Sequence, residues 1–399
     1  MCKVINVLTF IEDFEEAMRS FTLKYAGVTL YFGPNSISNL SRHLEGYERV
    51  VVVTGKTSAK KSGALRDVER LLKERNVEFK VFDDITPNPW ASQADRLAQF
   101  IWSEGSDAVI AIGGGSVIDA AKAASVMAAS GGRAVDYLYE RRRAKSHIPL
   151  LAVNLTHGTG TEIDRYAVLT VDENREKRGM SILYPDVSVD DPQYTLTLPR
   201  NQTMYTSLDT FYHSYEAATS TLTSPYVKLL SSEAISLVNE WLPKVLENLG
   251  NLEARYWLLY ASMIAGISID ASSTHIIHAI EHALSGINPK LAHACGLGIL
   301  GPRGVYYTHK AMPKESASAL RPLDPDIKPI PDDAEKAEKV VRSFQEELGF
   351  TERLSDYGFE EKDVAKILNI VFYGLRYLHK NTPFDVTKDV VRDILLNNL

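Results

Sequence analysis

Between residues 49 and 153 this chain alternates short apolar runs with amphipathic ones, and beyond about residue 190 the alternation stops. The run Arg49-Val-Val-Val-Val-Thr54 predicts a buried strand, and residues 64–75 carry helical spacing at Leu65, Val68, Leu71 and Leu72. Strands are predicted again at 78–82, 107–112 and 149–153, with helices at 91–103 and 117–129 between them. Such a rhythm argues for a parallel sheet with helices on both faces. The texture changes at Asp190-Asp191-Pro192. After Leu198-Pro199 come long helical patterns, at 225–246, 252–268 and 334–348, and no convincing strand. A stretch at 312–333, rich in Pro, Asp and Lys, predicts an exposed loop. At 399 residues the chain exceeds what one core usually organises. The expectation is an α/β domain over residues 1–190 and an all-helical domain over 191–399.

The net charge of −7 disfavours nonspecific nucleic-acid binding. Arg141, Arg142, Arg143 and Lys145 form the one compact basic run, which reads as a solvated loop or helix end. Two cysteines, Cys2 and Cys295, build no disulfide framework and suit a reducing, cytoplasmic setting. The mildly apolar run at 4–10 is followed at once by Glu12, Asp13, Glu15 and Glu16, unlike a signal peptide. No uninterrupted apolar stretch is long enough for a membrane span.

Two loops stand out in the first half. Gly113-Gly114-Gly115-Ser116 joins a predicted strand to a predicted helix. Glycine lets the backbone bend sharply and approach a ligand, and the helix that follows aims its free N–H groups at an anion such as a diphosphate. Asp119 and Lys122 fall on the first turns of that helix. Three glycines alone would equally suit a tight structural turn, and the run departs from G-x-G-x-x-G. The second loop is Thr156-His-Gly-Thr159-Gly-Thr-Glu162. It suits a second nucleotide contact, or a turn whose Thr159 and Glu162 form a capping box.

The second half carries ligand-type residues. Asp209 and His213 are four apart on a predicted helix and share one face. His278 and His293 follow, and half of the ten histidines fall between 275 and 309. One carboxylate with three imidazoles suits a borderline divalent metal such as Fe²⁺ or Zn²⁺. His275 competes with His278 by spacing. His282, one turn beyond His278, faces the same side. His157 and His309 read as structural, and Cys295 as an inert neighbour.

These motifs, in this order, resemble the iron-containing (group III) alcohol dehydrogenase family. Gly-Gly-Gly-Ser-Val-Ile-Asp-Ala-Ala-Lys122 is similar to its strand-GGGS-helix unit, and Gly158-Thr-Gly-Thr-Glu162 to its GTGSE loop. Asp191-Pro192 with Leu196-Thr-Leu-Pro199 resembles its linker, Asp209 and His213 its D-x-x-x-H pair, and His278, His282 and His293 its H-x-x-x-H…H segment. Asn381-Thr-Pro383 resembles a further run. The resemblance implies a Rossmann-like dinucleotide-binding domain, a helical metal domain and hydride transfer between a small alcohol or aldehyde and a nicotinamide. It implies Asp209, His213, His278 and His293 as metal ligands, in preference to His275. In that hydride-transfer chemistry His282 would relay the proton or else orient water. Gly114, Gly115 and Ser116 would cradle the pyrophosphate, Asn88 would contact the adenosine side, Thr156 and Thr159 would line pyrophosphate and nicotinamide, and Lys177 would reach the ribose. A homodimer is the family expectation. Leu155-Thr156, His157 and Ala294 depart from the family pattern.

In many NAD-using relatives an Asp follows the strand-end Thr; here Gly55 does, with Lys56 and Ser58 nearby. Room and positive charge at that point predict NADP(H) as the preferred cofactor over NAD(H). The alternatives are an NAD(H)-using glycerol or other polyol dehydrogenase of the same superfamily, against which His213 argues as an extra ligand, and a non-catalytic nucleotide-binding regulator.

Overall fold

The computed structural model describes residues 18–399; Cys2 and the apolar run at 4–10 lie outside them. Nine strands are found among the described residues: β1 (Phe21–Tyr25), β2 (Val28–Phe32), β3 (Arg49–Gly55), β4 (Glu78–Ile85), β5 (Ala108–Gly113), β6 (Leu150–Asn154), β7 (Tyr166–Thr170), β8 (Lys177–Ser181) and β9 (Val187–Asp190). Seven form one sheet in the order β1-β2-β9-β6-β5-β3-β4, and β7-β8 is a separate antiparallel hairpin. Every pairing in the large sheet is parallel except β1 with β2.

The valines of β3 show why this sheet is covered on both sides. Successive side chains of a strand point to opposite faces. Val51 and Val53 join Val109, Ala111, Leu150 and Ala152 in one core, against the helices Ala91–Ser103 and Gly115–Ser130. Val50 and Val52 join Ile110, Ile112, Leu151 and Val153 in the other, against the helix Ala64–Glu74. The chain runs from β3 outward to β4, then returns to place β5 on the far side of β3. The strand order therefore reverses between β3 and β5, and their carboxyl ends, Gly55 and Gly113, flank the crevice where open α/β sheets take ligands.

No strand lies beyond Asp190 among the described residues. The helices Arg200–Thr219, Pro225–Glu247, Leu252–Ala271, Ile276–Ile287, His293–Ala311 and Ala334–Glu347 pack around a third core. The expected exposed loop at 312–333 is corrected in part. Pro313–Leu320 is a helix, begun by Pro313 where a missing N–H costs nothing. It buries Ala317, Ala319 and Leu320, and Tyr215 and His309 hold Ser316 from the core side. No helix among the described residues is long and apolar enough to cross a membrane.

Candidate metal and nucleotide site

The helix Gly115–Ser130 begins two residues after β5, with Gly114 as its N-cap. The two nucleotide-type loops touch here. A Cβ on Gly114 would stand 2.7 Å from Thr156 Cγ2, and one on Gly115 2.6 Å from Thr159 Cγ2. Both glycines are thus required for close approach, and Ser116 follows on the first turn with backbone N–H groups that no helical partner claims. The capping-box expectation for Thr159 and Glu162 is corrected: no helix follows, and Glu162 is buried in a turn. Asp119 is also corrected as a cofactor contact. Its Oδ1 accepts from the Thr161 hydroxyl at 2.7 Å and its Oδ2 from the Val168 N–H at 2.9 Å, so it ties the helix to β7. Lys122 is wholly buried and donates to Thr161 Oγ1, to Asp164 Oδ1 and to the Asp164 and Tyr166 carbonyls.

Gly55 ends β3 with only the Ile85 carbonyl and Val117 near where a Cβ would sit. The free positive charge expected beside it is corrected, because Lys56 Nζ lies 3.5 Å from Asp83 and 3.4 Å from Asp84. Asn88 adopts a left-handed conformation with φ 51°, and its side chain donates to the Pro289 carbonyl at 3.4 Å across the cleft. Lys177, at the start of β8, is buried with Nζ 3.5 Å from Glu281 Oε2.

Asp209 and His213 project from the nearly all-buried helix Arg200–Thr219. His278 and His282 project from Ile276–Ile287, and His293 opens the next helix. The Nε2 atoms of His213, His278 and His293 lie 3.5, 3.7 and 3.9 Å from one oxygen, Asp209 Oδ1. Each ring's other nitrogen is engaged elsewhere. His213 Nδ1 meets the Gly158 carbonyl at 3.3 Å, His278 Nδ1 meets Glu216, and His293 Nδ1 meets Glu281. A ring whose Nδ1–H is donated presents Nε2 as a lone pair, the arrangement of metal-ligating histidine. Asp209 Oδ1 and His278 Nε2 are buried without a hydrogen-bond partner, which a native protein rarely tolerates unless something fills the gap. His275 does not share this geometry. Its Nε2 is taken by the Thr219 hydroxyl at 3.0 Å and its Nδ1 lies 3.1 Å from Glu216.

The electrostatics suit a cation. Burial pushes the Asp209 carboxyl up, but the surrounding imidazoles outweigh burial and hold it well below the usual carboxylate range. Burial pushes His213 down to about 4. Burial also pushes His278 down, but Glu216 and Asp209 outweigh it and lift the ring to about 9. His282 stands at ring-centroid distances of 5.3 Å from His293 and 6.5 Å from His278, its Nδ1 buried and unpartnered. Burial, then Lys177, drives its pKa far down.

His157 and His309 are structural. His157 accepts from Arg255 Nη1 at 3.0 Å, and His309 lies between Ser316 and the Ile330 carbonyl. Cys295 is buried beside Tyr357, its thiol pushed up to about 12 by burial. The residues that sequence reasoning left unassigned are Glu216 and Glu281. Their signal was present, since each lies three positions after a ligand-type histidine and so on the same helix face.

Comparison with known proteins gives a consistent picture. The family model for iron-containing alcohol dehydrogenase matches residues 28–192, and that for the C-terminal part of the same family matches 203–399. The chain is 37% identical over 376 residues to the long-chain primary alcohol dehydrogenase AdhA of Thermoanaerobacter ethanolicus, covering 92% of this chain and 94% of that one. It is 30% identical over 345 residues to the 1,3-propanediol dehydrogenase of Klebsiella pneumoniae, covering 84% and 88%. Among solved structures, an archaeal halo-thermophilic Red Sea brine pool alcohol dehydrogenase superposes with a TM-score of 0.88 at 26% identity, over 96% of this chain and 98% of that one. The NADH-dependent butanol dehydrogenase A of Thermotoga maritima gives 0.84 at 26%, over 96% and 99%.

Proposed function

This chain belongs to the iron-containing alcohol dehydrogenase family, and from that premise we propose that it interconverts a small or primary alcohol and its aldehyde with NADP(H) as the preferred hydride carrier. The observation that carries the reading is the convergence of three imidazole Nε2 atoms on an unpartnered Asp209 oxygen, one loop away from the glycine turn. Asp209, His213, His278 and His293 would hold a divalent ion, Fe²⁺ in the first place and Zn²⁺ as the alternative. Such an ion supplies Lewis acidity that stabilises negative charge on a substrate oxygen.

The chain's own residues do the rest. Asp209 offsets part of the ion's charge. The N–H groups at Gly114, Gly115 and Ser116 receive the pyrophosphate, with Thr156 and Thr159 beside them, Asn88 toward the adenosine and Lys177 toward the ribose. His282, with its unpartnered Nδ1 beside the cluster, takes or returns the hydroxyl proton, directly or through a water. The enzyme would work as a homodimer in a reducing cytoplasm, where a buried free thiol such as Cys295 persists.

Gly55 is the ground for NADP(H), since no carboxylate there repels a 2′-phosphate. A second reading, NAD(H), draws on Asp83 and Asp84, which pair with Lys56 and set negative charge beside the same strand end; the butanol dehydrogenase of Thermotoga maritima is NADH-dependent by name. Steady-state kcat/KM with both cofactors and a series of primary alcohols tests the proposal, alongside metal analysis. Gly55→Asp should shift the ratio toward NAD(H) by at least tenfold with little change in kcat. Like charges about 4 Å apart at an effective dielectric near 20 repel by roughly 4 kcal/mol before screening. A wild type that strongly favours NAD(H) sinks the NADP(H) reading, and no turnover with any alcohol or aldehyde leaves the regulator alternative standing.

A further inference from the structure

Two carboxylates stand behind the ligand cluster, Glu216 and Glu281, both fully shielded from solvent. Glu216 has an evident second task. Besides His278 it accepts the backbone N–H groups of His275 at 3.1 Å and Ile277 at 2.7 Å, and so caps the helix Ile276–Ile287. Glu281 is different, because among the described residues its partners are side chains. Its Oε1 accepts from the Ser285 hydroxyl, and its Oε2 faces both His293 Nδ1 and, at 3.5 Å, the Lys177 ammonium on β8.

His293 is also the ligand-type residue with the weakest packing. Its side chain is 21% exposed, against 8% for His213 and 3% for His278. It opens its helix directly after the 288–292 connection, so the ring has no preceding turn to lean on. A buried carboxylate costs several kcal/mol of desolvation, which its partners have to offset. Of the three partners that offset this cost, Ser285, Lys177 and His293, only His293 belongs to the ligand cluster.

We propose that Glu281 is a positioning residue: its Oε2 takes the Nδ1–H of His293, fixes that tautomer and aims Nε2 at the point shared with Asp209, while the same oxygen tethers the ring to Lys177 across the cleft. The inference rests on the metal reading of Asp209, His213, His278 and His293. It assigns the fourth ligand's geometry to a carboxylate that touches neither metal nor substrate, and joins the metal side of the cleft to β8 of the α/β domain.

The test uses the full-length protein and Co²⁺ alone as the probe. Wild type, Glu281→Gln and Glu281→Ala are stripped of metal, their melting temperatures are compared, and each is titrated with Co²⁺ against a competing chelator while the visible d–d band is recorded. Loss of an outer partner of this kind typically costs 10–100-fold in metal affinity. Glu281→Ala should weaken Co²⁺ binding by that factor and change the band, and its metal-free melting temperature should fall, because Lys177 is left as a buried unpaired charge. Glu281→Gln keeps an amide oxygen for the Nδ1–H and should fall between the two. Co²⁺ affinity and spectrum equal to wild type in Glu281→Ala, or a Gln variant no better than Ala, would overturn the proposal. If Glu281→Ala does not fold, Glu281→Gln decides: several-fold weaker binding supports the assignment, and unchanged binding overturns it. A wild-type chain that takes up no Co²⁺ sinks the metal reading itself, a result distinct from these.

Discussion

Three histidines within eight positions of one another sit in three different surroundings, and spacing alone does not separate them. His275, His278 and His282 are all buried. What separates them is which nitrogen is already taken. His275 has its Nε2 bonded to Thr219 and its Nδ1 3.1 Å from Glu216, His278 has Nδ1 on Glu216 and Nε2 facing Asp209, and His282 has an unpartnered Nδ1 beside the ligand cluster. His278→Ala should therefore lose metal and nearly all turnover, and His275→Ala should keep its metal. His282→Ala should keep metal but turn over about two to four orders of magnitude more slowly, the usual worth of general acid–base help. Metal content by elemental analysis and kcat on the same preparations check all three. Metal lost from the His275 variant and kept by the His278 variant would reverse the ligand assignment, and metal lost from the His282 variant would make that residue a ligand.

At the level of elements, the site depends on how closely a helix start can approach a loop. Gly115–Ser130 leaves β5 at once, and the second loop follows β6, the neighbouring strand in the sheet. The contact between them is backbone against threonine methyl, with no room for a Cβ. Gly115→Ala puts a methyl 2.6 Å from Thr159 Cγ2 and 3.0 Å from its hydroxyl, so one loop has to move. Cofactor affinity should fall about tenfold or more while metal content stays at wild-type level. Tenfold corresponds to roughly 1.4 kcal/mol, a modest demand on a contact this short. Titration of bound reduced nicotinamide by its fluorescence measures it, and an unchanged dissociation constant would show that the loops adjust freely.

On the scale of the whole molecule, Arg255 joins parts that the chain separates widely. It is fully buried, and its guanidinium donates to neutral acceptors: the carbonyls of Leu198 and Leu249, the Thr203 hydroxyl and His157 Nε2. Leu198 lies just before the helix Arg200–Thr219, Leu249 precedes Leu252–Ala271, and His157 belongs to the second nucleotide loop. Burial pushes the guanidinium down to about 10, which still leaves it charged at neutral pH. Arg255→Met keeps much of the volume but strands several buried acceptors, each worth about 1–3 kcal/mol when unsatisfied. Stability should drop by about 3 kcal/mol or more, read as a lower denaturant midpoint at unchanged slope. A midpoint equal to wild type would mean that water replaces the guanidinium without cost.

Much of this could be read directly from residue order. Strand alternation at β3, β5 and β6, the glycine turn at 113–115 and the four-residue step from Asp209 to His213 are local patterns, set by the 2.0 and 3.6 residue periods of strand and helix. They sufficed for the α/β-then-helical plan and for the Asp209–His213 pair, while the choice of His278 over His275 came from the family resemblance. What stayed hidden depends on contacts between residues far apart along the chain. Glu216 reaches His278 across 62 positions, Lys56 meets Asp83 across 27, and Asp119 turns to Thr161 across 42. No window of sequence contains both partners of such a pair, so whether a charge is free or already spent is decided only when packing brings them together. The helix at Pro313–Leu320 hid for the same reason: its polar, proline-started run looks like a loop until Tyr215 and His309 supply partners from the core.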